Sequence, residues 1–131
     1  NALREAVQGK RVIMVDDSIV RGTTCARLIK LVRDAGASEV HLRISAPPFR
    51  HPCFFGTDIP DQDLLLAHGR TVEEMREIIG ADTLGFLSLE ATRKIARGCH
   101  LDFCDACFTG EYPMDVPKQA QKNLFESEIE T

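Results

Sequence analysis

Apolar and polar positions follow two different periods along the chain. Residues 11–16 carry four consecutive apolar side chains, Val12, Ile13, Met14 and Val15. Such a run predicts a strand buried on both faces. Residues 17–23 are polar and contain Gly22, which predicts a loop. From 24 to 35 the pattern turns helical. Leu28, Leu31, Val32 and Ala35 form one stripe, with Arg27, Lys30 and Arg33 off it. Ala35 and Gly36 supply a helix stop. In 39–45 the alternate positions Val40, Leu42 and Ile44 predict a second strand with one apolar face, ended by Pro47 and Pro48. A strand, a helix and a strand in this order predict a parallel pair with a right-handed crossover.

The second half reads less regularly. Residues 2–9 suit the end of an upstream helix, and 51–63 form a long loop rich in Pro, Gly and Asp. Residues 61–67 suggest a short helix. Residues 71–79 predict a firmer one: Thr71 can cap it, Glu74 completes a capping box, and Gly80 follows its end. Residues 83–88 read as a third strand and 89–96 as a helix. After Gly98 the pattern breaks into a cysteine-containing loop and a polar tail. The fold class is therefore α/β, with a mostly parallel sheet flanked by helices. Three strands make a thin sheet, and a doubly buried strand needs neighbours. Either upstream strands are missing, or a partner covers the exposed edge.

Composition narrows the function classes. The chain has 131 residues, 44% hydrophobic and 27% charged, an ordinary globular balance that suits one domain or part of one. Its net charge of −4 gives no basic field for nucleic acid or an anionic membrane. No apolar run approaches a membrane span, and no signal peptide opens the chain. It starts at Asn1 rather than Met, as a fragment or a processed product would. The five cysteines, Cys25, Cys53, Cys99, Cys104 and Cys107, are odd in number. Reduced thiols or metal ligands in a cytoplasmic protein fit better than a disulfide framework.

The chemistry concentrates where the first strand ends. Open α/β sheets bind ligands at the carboxyl ends of their strands. Here that end carries Asp16 and Asp17, followed by Ser18, Ile19, Val20, Arg21, Gly22, Thr23 and Thr24 leading into a helix. Backbone N–H groups of such a loop, added to the helix N-terminus, bind an anion without a basic side chain. Gly22 lets the backbone approach the ligand, and the Thr23 and Thr24 hydroxyls can donate to phosphate oxygens. Two adjacent carboxylates repel each other unless paired. Ribose hydroxyls and Mg²⁺ would relieve that repulsion. A bare acidic pair would read equally well as a helix cap, but the whole string is more specific. It resembles the signature of the type I phosphoribosyltransferases, which bind phosphoribosyl pyrophosphate (PRPP).

The resemblance reaches past the loop. VDDSIVRGTT, DAGASEVHLRISAPP, HPCFFG, GADTLGFLSLE and CDACFTGEYP occur in order. Together they resemble the C-terminal part of the glutamine PRPP amidotransferase (amidophosphoribosyltransferase) family. The resemblance implies that residues 1–98 are the C-terminal half of a type I phosphoribosyltransferase domain, with upstream strands missing, and that 99–131 form a cysteine-containing loop and tail. It implies an enzyme of purine biosynthesis: ammonia from glutamine attacks C1 of PRPP, pyrophosphate leaves, and 5-phosphoribosylamine forms. Asp16 and Asp17 would bind the ribose hydroxyls and Mg²⁺, and residues 18–24 would hold the 5′-phosphate. No residue here need act as a nucleophile, so catalysis would come from positioning and charge stabilisation. Purine nucleotides, which inhibit the family, can place a phosphate in the same loop. A glutaminase domain, for which no N-terminal cysteine is present here, and a homo-oligomer are further implied. The fragment alone is expected to be inactive.

The cysteines are ambiguous by themselves. Cys104 and Cys107 form a C-x-x-C, which could be half a zinc knuckle, a redox pair or chance. Cys53 lies in a Pro/Gly-rich loop. The resemblance implies a 4Fe–4S cluster on Cys53, Cys104 and Cys107, as in one branch of the family, with a fourth ligand upstream of this chain. Alone, the chain could lose the cluster, recruit Cys99, or bind zinc through Cys99, His51 or His100. Cys25 reads as a small core residue. His41 reads as surface, His68 as partnerless, Arg21, Arg50 and Arg70 as solvated, and Phe54 and Phe55 as loop packing. Two rivals remain: a non-enzymatic module that senses PRPP or nucleotides with the same fold, and a structural metal-binding domain.

Overall fold

The computed structural model describes residues 4–56, 61–95, 97–98 and 103–116. The Arg11–Asp16 run forms strand β1, following a short helix α1, Arg4–Val7. Helix α2, Thr23–Asp34, returns the chain to strand β2, Glu39–Ile44. A 3₁₀ turn at Gln62–Leu64 precedes helix α3, Val72–Ile79, and strand β3, Thr83–Phe86. Helices α4, Leu89–Ile95, and α5, Ala106–Thr109, follow. The sheet order is β1-β2-β3, and both pairs are parallel. Asp16 lies opposite Ile44 and His41 opposite Thr83. No helix among the described residues is long and apolar enough to cross a membrane.

One face of this sheet forms the core. Val40, Leu42 and Ile44 of the central strand are buried, as the alternation predicts. They pack with Cys25 and Ile29 of α2 and with Met75 and Ile79 of α3. The capping box closes α3: Thr71 Oγ1 accepts from the Glu74 N–H at 3.2 Å, and the Thr71 N–H donates to Glu74 at 2.7 Å. Gly80 ends the helix in the left-handed region. Asp82 then locks β3 to β2. Its carboxylate accepts the Val40 N–H at 2.6 Å and pairs with Arg33 at 2.9 Å. The Val40 N–H is the main cause holding that carboxyl below its usual range, and the Arg33 charge adds to it.

Four expectations need correction. β1 is not buried on both faces: Ile13 and Val15 are 66% and 75% exposed. β1 is an edge strand, and α2 and α3 cover only the opposite face. The predicted stripe on α2 is half right: Val32 packs against the core and Ala35 is buried. Leu28 and Leu31 are exposed, and the buried pair is Cys25 and Ile29, one helical turn apart. A helix over 61–67 shrinks to the 3₁₀ turn, because residues 65–67 are wholly buried in non-helical backbone. The cysteine loop holds an unforeseen helix, α5, which contains Cys107. Other element ends move by a residue or two. Cys99, His100 and the tail beyond 116 lie outside the described residues.

Candidate phosphate-binding site

The loop between β1 and α2 has the geometry of an anion cradle. Gly22 is the N-cap of α2 with φ +78°, a left-handed conformation that glycine adopts without a Cβ penalty. α2 opens with no side-chain cap, and its first i→i−4 bond is the Ala26 N–H donating to the Gly22 carbonyl at 2.9 Å. The amides of Thr23, Thr24 and Cys25 therefore precede the intrahelical ladder. The first turn itself holds no acidic residue, and the positive end of the helix dipole faces the loop. Thr23, Thr24 and Arg21 are exposed. Asp17 and Ser18 lie well before the helix start, so they do not cap it.

The acidic pair is fixed locally. Asp16 is half-buried at the end of β1, and Asp17 is exposed. The Asp17 N–H donates to the Asp16 carboxylate at 3.0 Å, and Ser18 Oγ donates to that of Asp17 at 3.2 Å. The Ser45 N–H at the end of β2 holds the Asp16 carbonyl at 3.0 Å. Behind the loop, the Cys25 thiol lies 3.9 Å from the Asp16 carboxylate. Burial is the main cause raising this thiol above its ordinary value, with the Asp16 charge adding to it. Cys25 is thus a core residue backing the site, as expected. Ile19 is buried and anchors the loop from below.

The loop rests on a segment that sequence reasoning did not single out. The Leu66 N–H donates to the Val20 carbonyl at 2.7 Å. A Cβ on Gly22 would stand 2.8 Å from Leu66 Cδ2, so the leucine fills the space beneath the glycine. Arg50 and Arg70, expected to be solvated, instead donate to carbonyls around this segment. His68 also has a partner, with Gln62 Nε2 3.0 Å from its Nδ1. His41 is bound to Thr83 and Glu39, both at 2.9 Å.

A second group of chemistry-bearing residues lies apart from the loop. Cys53, Cys104 and Cys107 line one cavity of about 210 Å³ with Phe54, Phe55 and Tyr112. Backbone ties join the two segments that carry the thiols: the Arg50 and His51 N–H groups both donate to the Cys107 carbonyl at 3.0 Å. Tyr112 Oη donates to the Pro52 carbonyl at 2.9 Å, and the Phe49 and Phe108 rings lie 4.9 Å apart. The Cys107 thiol is pushed up to about 11, chiefly by burial and in smaller part by the neighbouring Cys53. Phe54 and Phe55 pack on Tyr112, in keeping with a packing role. Among the described residues, no three His, Cys, Asp or Glu side chains are grouped closely enough to hold one metal ion.

A parallel α/β unit thus carries an acidic pair and a glycine-turned loop at its strand end, a geometry suited to binding a phosphate. No protein-family model matches the chain. It is, however, 47% identical over 123 residues to the amidophosphoribosyltransferase of Synechococcus elongatus. It is 52% identical over 120 residues to that of Bacillus subtilis. These matches span 94% and 88% of this chain but 25% of each relative. The solved structure of the B. subtilis glutamine PRPP amidotransferase complexed with ADP and GMP superposes with a TM-score of 0.81 at 51% identity. That superposition covers 89% of this chain and 27% of the other. The chain is therefore similar to one stretch of these amidophosphoribosyltransferases and spans about a quarter of their length.

Proposed function

We propose that this chain is the PRPP-binding portion of an amidophosphoribosyltransferase. The whole enzyme would form 5-phosphoribosylamine from PRPP and glutamine-derived ammonia, the first committed step of purine synthesis, in the cytoplasm and as a homo-oligomer. The observation that carries the reading is the loop after Asp16 and Asp17, turned by Gly22 into an uncapped helix. Residues 18–24 would hold the 5′-phosphate through their amides and the Thr23 and Thr24 hydroxyls. Asp16 and Asp17 would orient the ribose through its hydroxyls. Mg²⁺ suits this acidic pair and would neutralise charge on the departing pyrophosphate. Fixing the ribose at both ends leaves C1 the one free reacting centre, so positioning and charge stabilisation would do the catalytic work. The ADP and GMP of the B. subtilis complex suggest that nucleotide phosphates are accepted as well. A glutaminase domain would belong to the remaining three quarters of such a protein, and this chain alone would not turn over.

Calorimetric titration with PRPP and Mg²⁺ tests the reading. Binding is expected, and the double variant Asp16→Ala/Asp17→Ala is expected to weaken it at least about tenfold. Equal binding by both proteins would overturn the assignment. Phosphoribosylamine formation from PRPP and ammonia by the chain alone would overturn its inactivity.

We further propose a 4Fe–4S cluster on Cys53, Cys104 and Cys107, whose fourth ligand would lie elsewhere in a longer protein; the cavity these three residues share is what favours the reading. The donor chemistry suits iron: three soft sulfur ligands line one aromatic-walled space, although they are not drawn together around a single metal ion. Bound iron would also offset the cost of burying a thiolate and the repulsion between neighbouring thiolates. A cluster there would cross-link residues 53 and 104–107, a structural role. Anaerobic reconstitution with iron and sulfide should give bound iron and a visible charge-transfer band, both lost in Cys104→Ser/Cys107→Ser. Stoichiometric zinc without iron uptake would favour a zinc site.

A further inference from the structure

The phosphate loop has a floor, and the floor is held by arginines. Residues 65–67 are nearly wholly buried, with Leu65 at 0%, Leu66 at 4% and Ala67 at 2% exposure. They are not helical, so their carbonyls need donors from elsewhere. Arg50 donates to the Ala67 carbonyl at 3.0 Å and, more weakly, to that of Arg70 at 3.4 Å. Arg70 donates to the Leu66 carbonyl at 3.1 Å. Fixed in this way, Leu66 meets the loop twice. Its N–H grips the Val20 carbonyl, and its side chain fills the space under Gly22. Arg50 is itself anchored, because its N–H donates to the Cys107 carbonyl.

We propose that Arg50 is a positioning residue for the phosphate loop: by holding the Ala67 carbonyl it fixes the turn that carries Leu66 beneath Gly22. The inference rests on the PRPP reading for its functional consequence, but the positioning itself does not. A guanidinium bound to a buried carbonyl is a strong, directional tie. Without it, the buried turn loses a partner and can shift. A shift of Leu66 frees Val20 and Gly22, and with them the angle at which the Thr23 and Thr24 amides face an anion. Arg50 does not touch the ligand in this scheme.

The test compares wild type with Arg50→Met, Arg50→Lys and Leu66→Ala. Affinity for PRPP with Mg²⁺, and for inorganic phosphate, is read by calorimetry. Amide hydrogen exchange of residues 20–25 and the thermal midpoint are read in parallel. Arg50→Met is expected to weaken both ligands about tenfold and to speed exchange across 20–25. Arg50→Lys, which keeps one donor, should recover most of the affinity. Leu66→Ala should reproduce the loss, and it decides the matter if Arg50→Met does not fold. Leu84→Ala, a partly buried core change remote from the loop, should lower the midpoint without altering exchange at 20–25. A folded Arg50→Met with wild-type affinity and exchange would overturn the proposal, as would an effect matched by Leu84→Ala. If wild type binds neither ligand, the PRPP reading fails, and the exchange data alone then decide the positioning role.

Discussion

Gly22→Ala is expected to lose phosphate affinity by at least about thirtyfold, stability by a comparable free energy, or a share of each. Two costs act at one atom. Gly22 has φ +78°, where an L side chain costs about 1–2 kcal/mol. The added Cβ would also stand 2.8 Å from Leu66 Cδ2 and 3.4 Å from Cδ1. Leu66 is buried, so it has little room to yield, and overpacking of this kind costs roughly 1–3 kcal/mol. The chain can escape both costs only by rotating Gly22 toward negative φ. That rotation would turn the Thr23 and Thr24 amides away from the anion. The cost therefore falls on stability if the loop stays, or on binding if it moves. Denaturant unfolding and phosphate titration of the same variant measure the two shares. Gly69→Ala separates strain from clash, since Gly69 has φ +64° and nothing within 4 Å of its would-be Cβ. A Gly22→Ala protein that unfolds and binds like wild type would refute the cradle geometry.

The βαβ frame was legible because its signals are local. Val40, Leu42 and Ile44 alternate with the strand period, and Thr71 with Glu74 forms a cap from side chains three residues apart. The acidic pair and Gly22 were legible for a related reason, since a helix N-terminus and a strand end meet there in one stretch of chain. What failed depends on partners distant in sequence. Leu28 and Leu31 suit a buried stripe by periodicity, but the face of α2 is chosen by where Met75 and Ile79 of α3 pack. Leu66, Arg50 and Arg70 carry no motif. Their roles arise only when a turn some 44 residues after Gly22 folds under it. The run Val12–Val15 was misread for this chain because composition reports a strand's apolarity and not whether anything covers it. The bare Ile13 and Val15 face fits a chain that spans a quarter of its relatives.

Leu42→Ala is expected to destabilise the chain by about 3 kcal/mol, whereas Ile13→Ala should change stability by less than about 0.5 kcal/mol. Both are large aliphatic residues on paired strands, and strand propensity alone would rank them together. Burial separates them. Leu42 is 1% exposed, lies on the central strand and faces α2 and α3, so truncation leaves a cavity that strands on both sides hold open. Ile13 is 66% exposed on an edge strand, on the face those helices do not cover. Against a typical domain stability of about 5–15 kcal/mol, the first change consumes a large share. It should lower the urea midpoint with little change in slope, because the surface exposed on unfolding is nearly the same. The second should leave the midpoint in place. Equal losses would mean that something covers the Ile13 face in this chain too. The same pair placed in a protein as long as the relatives would then show whether additional chain covers that face, since Ile13→Ala would there approach the cost of a core truncation.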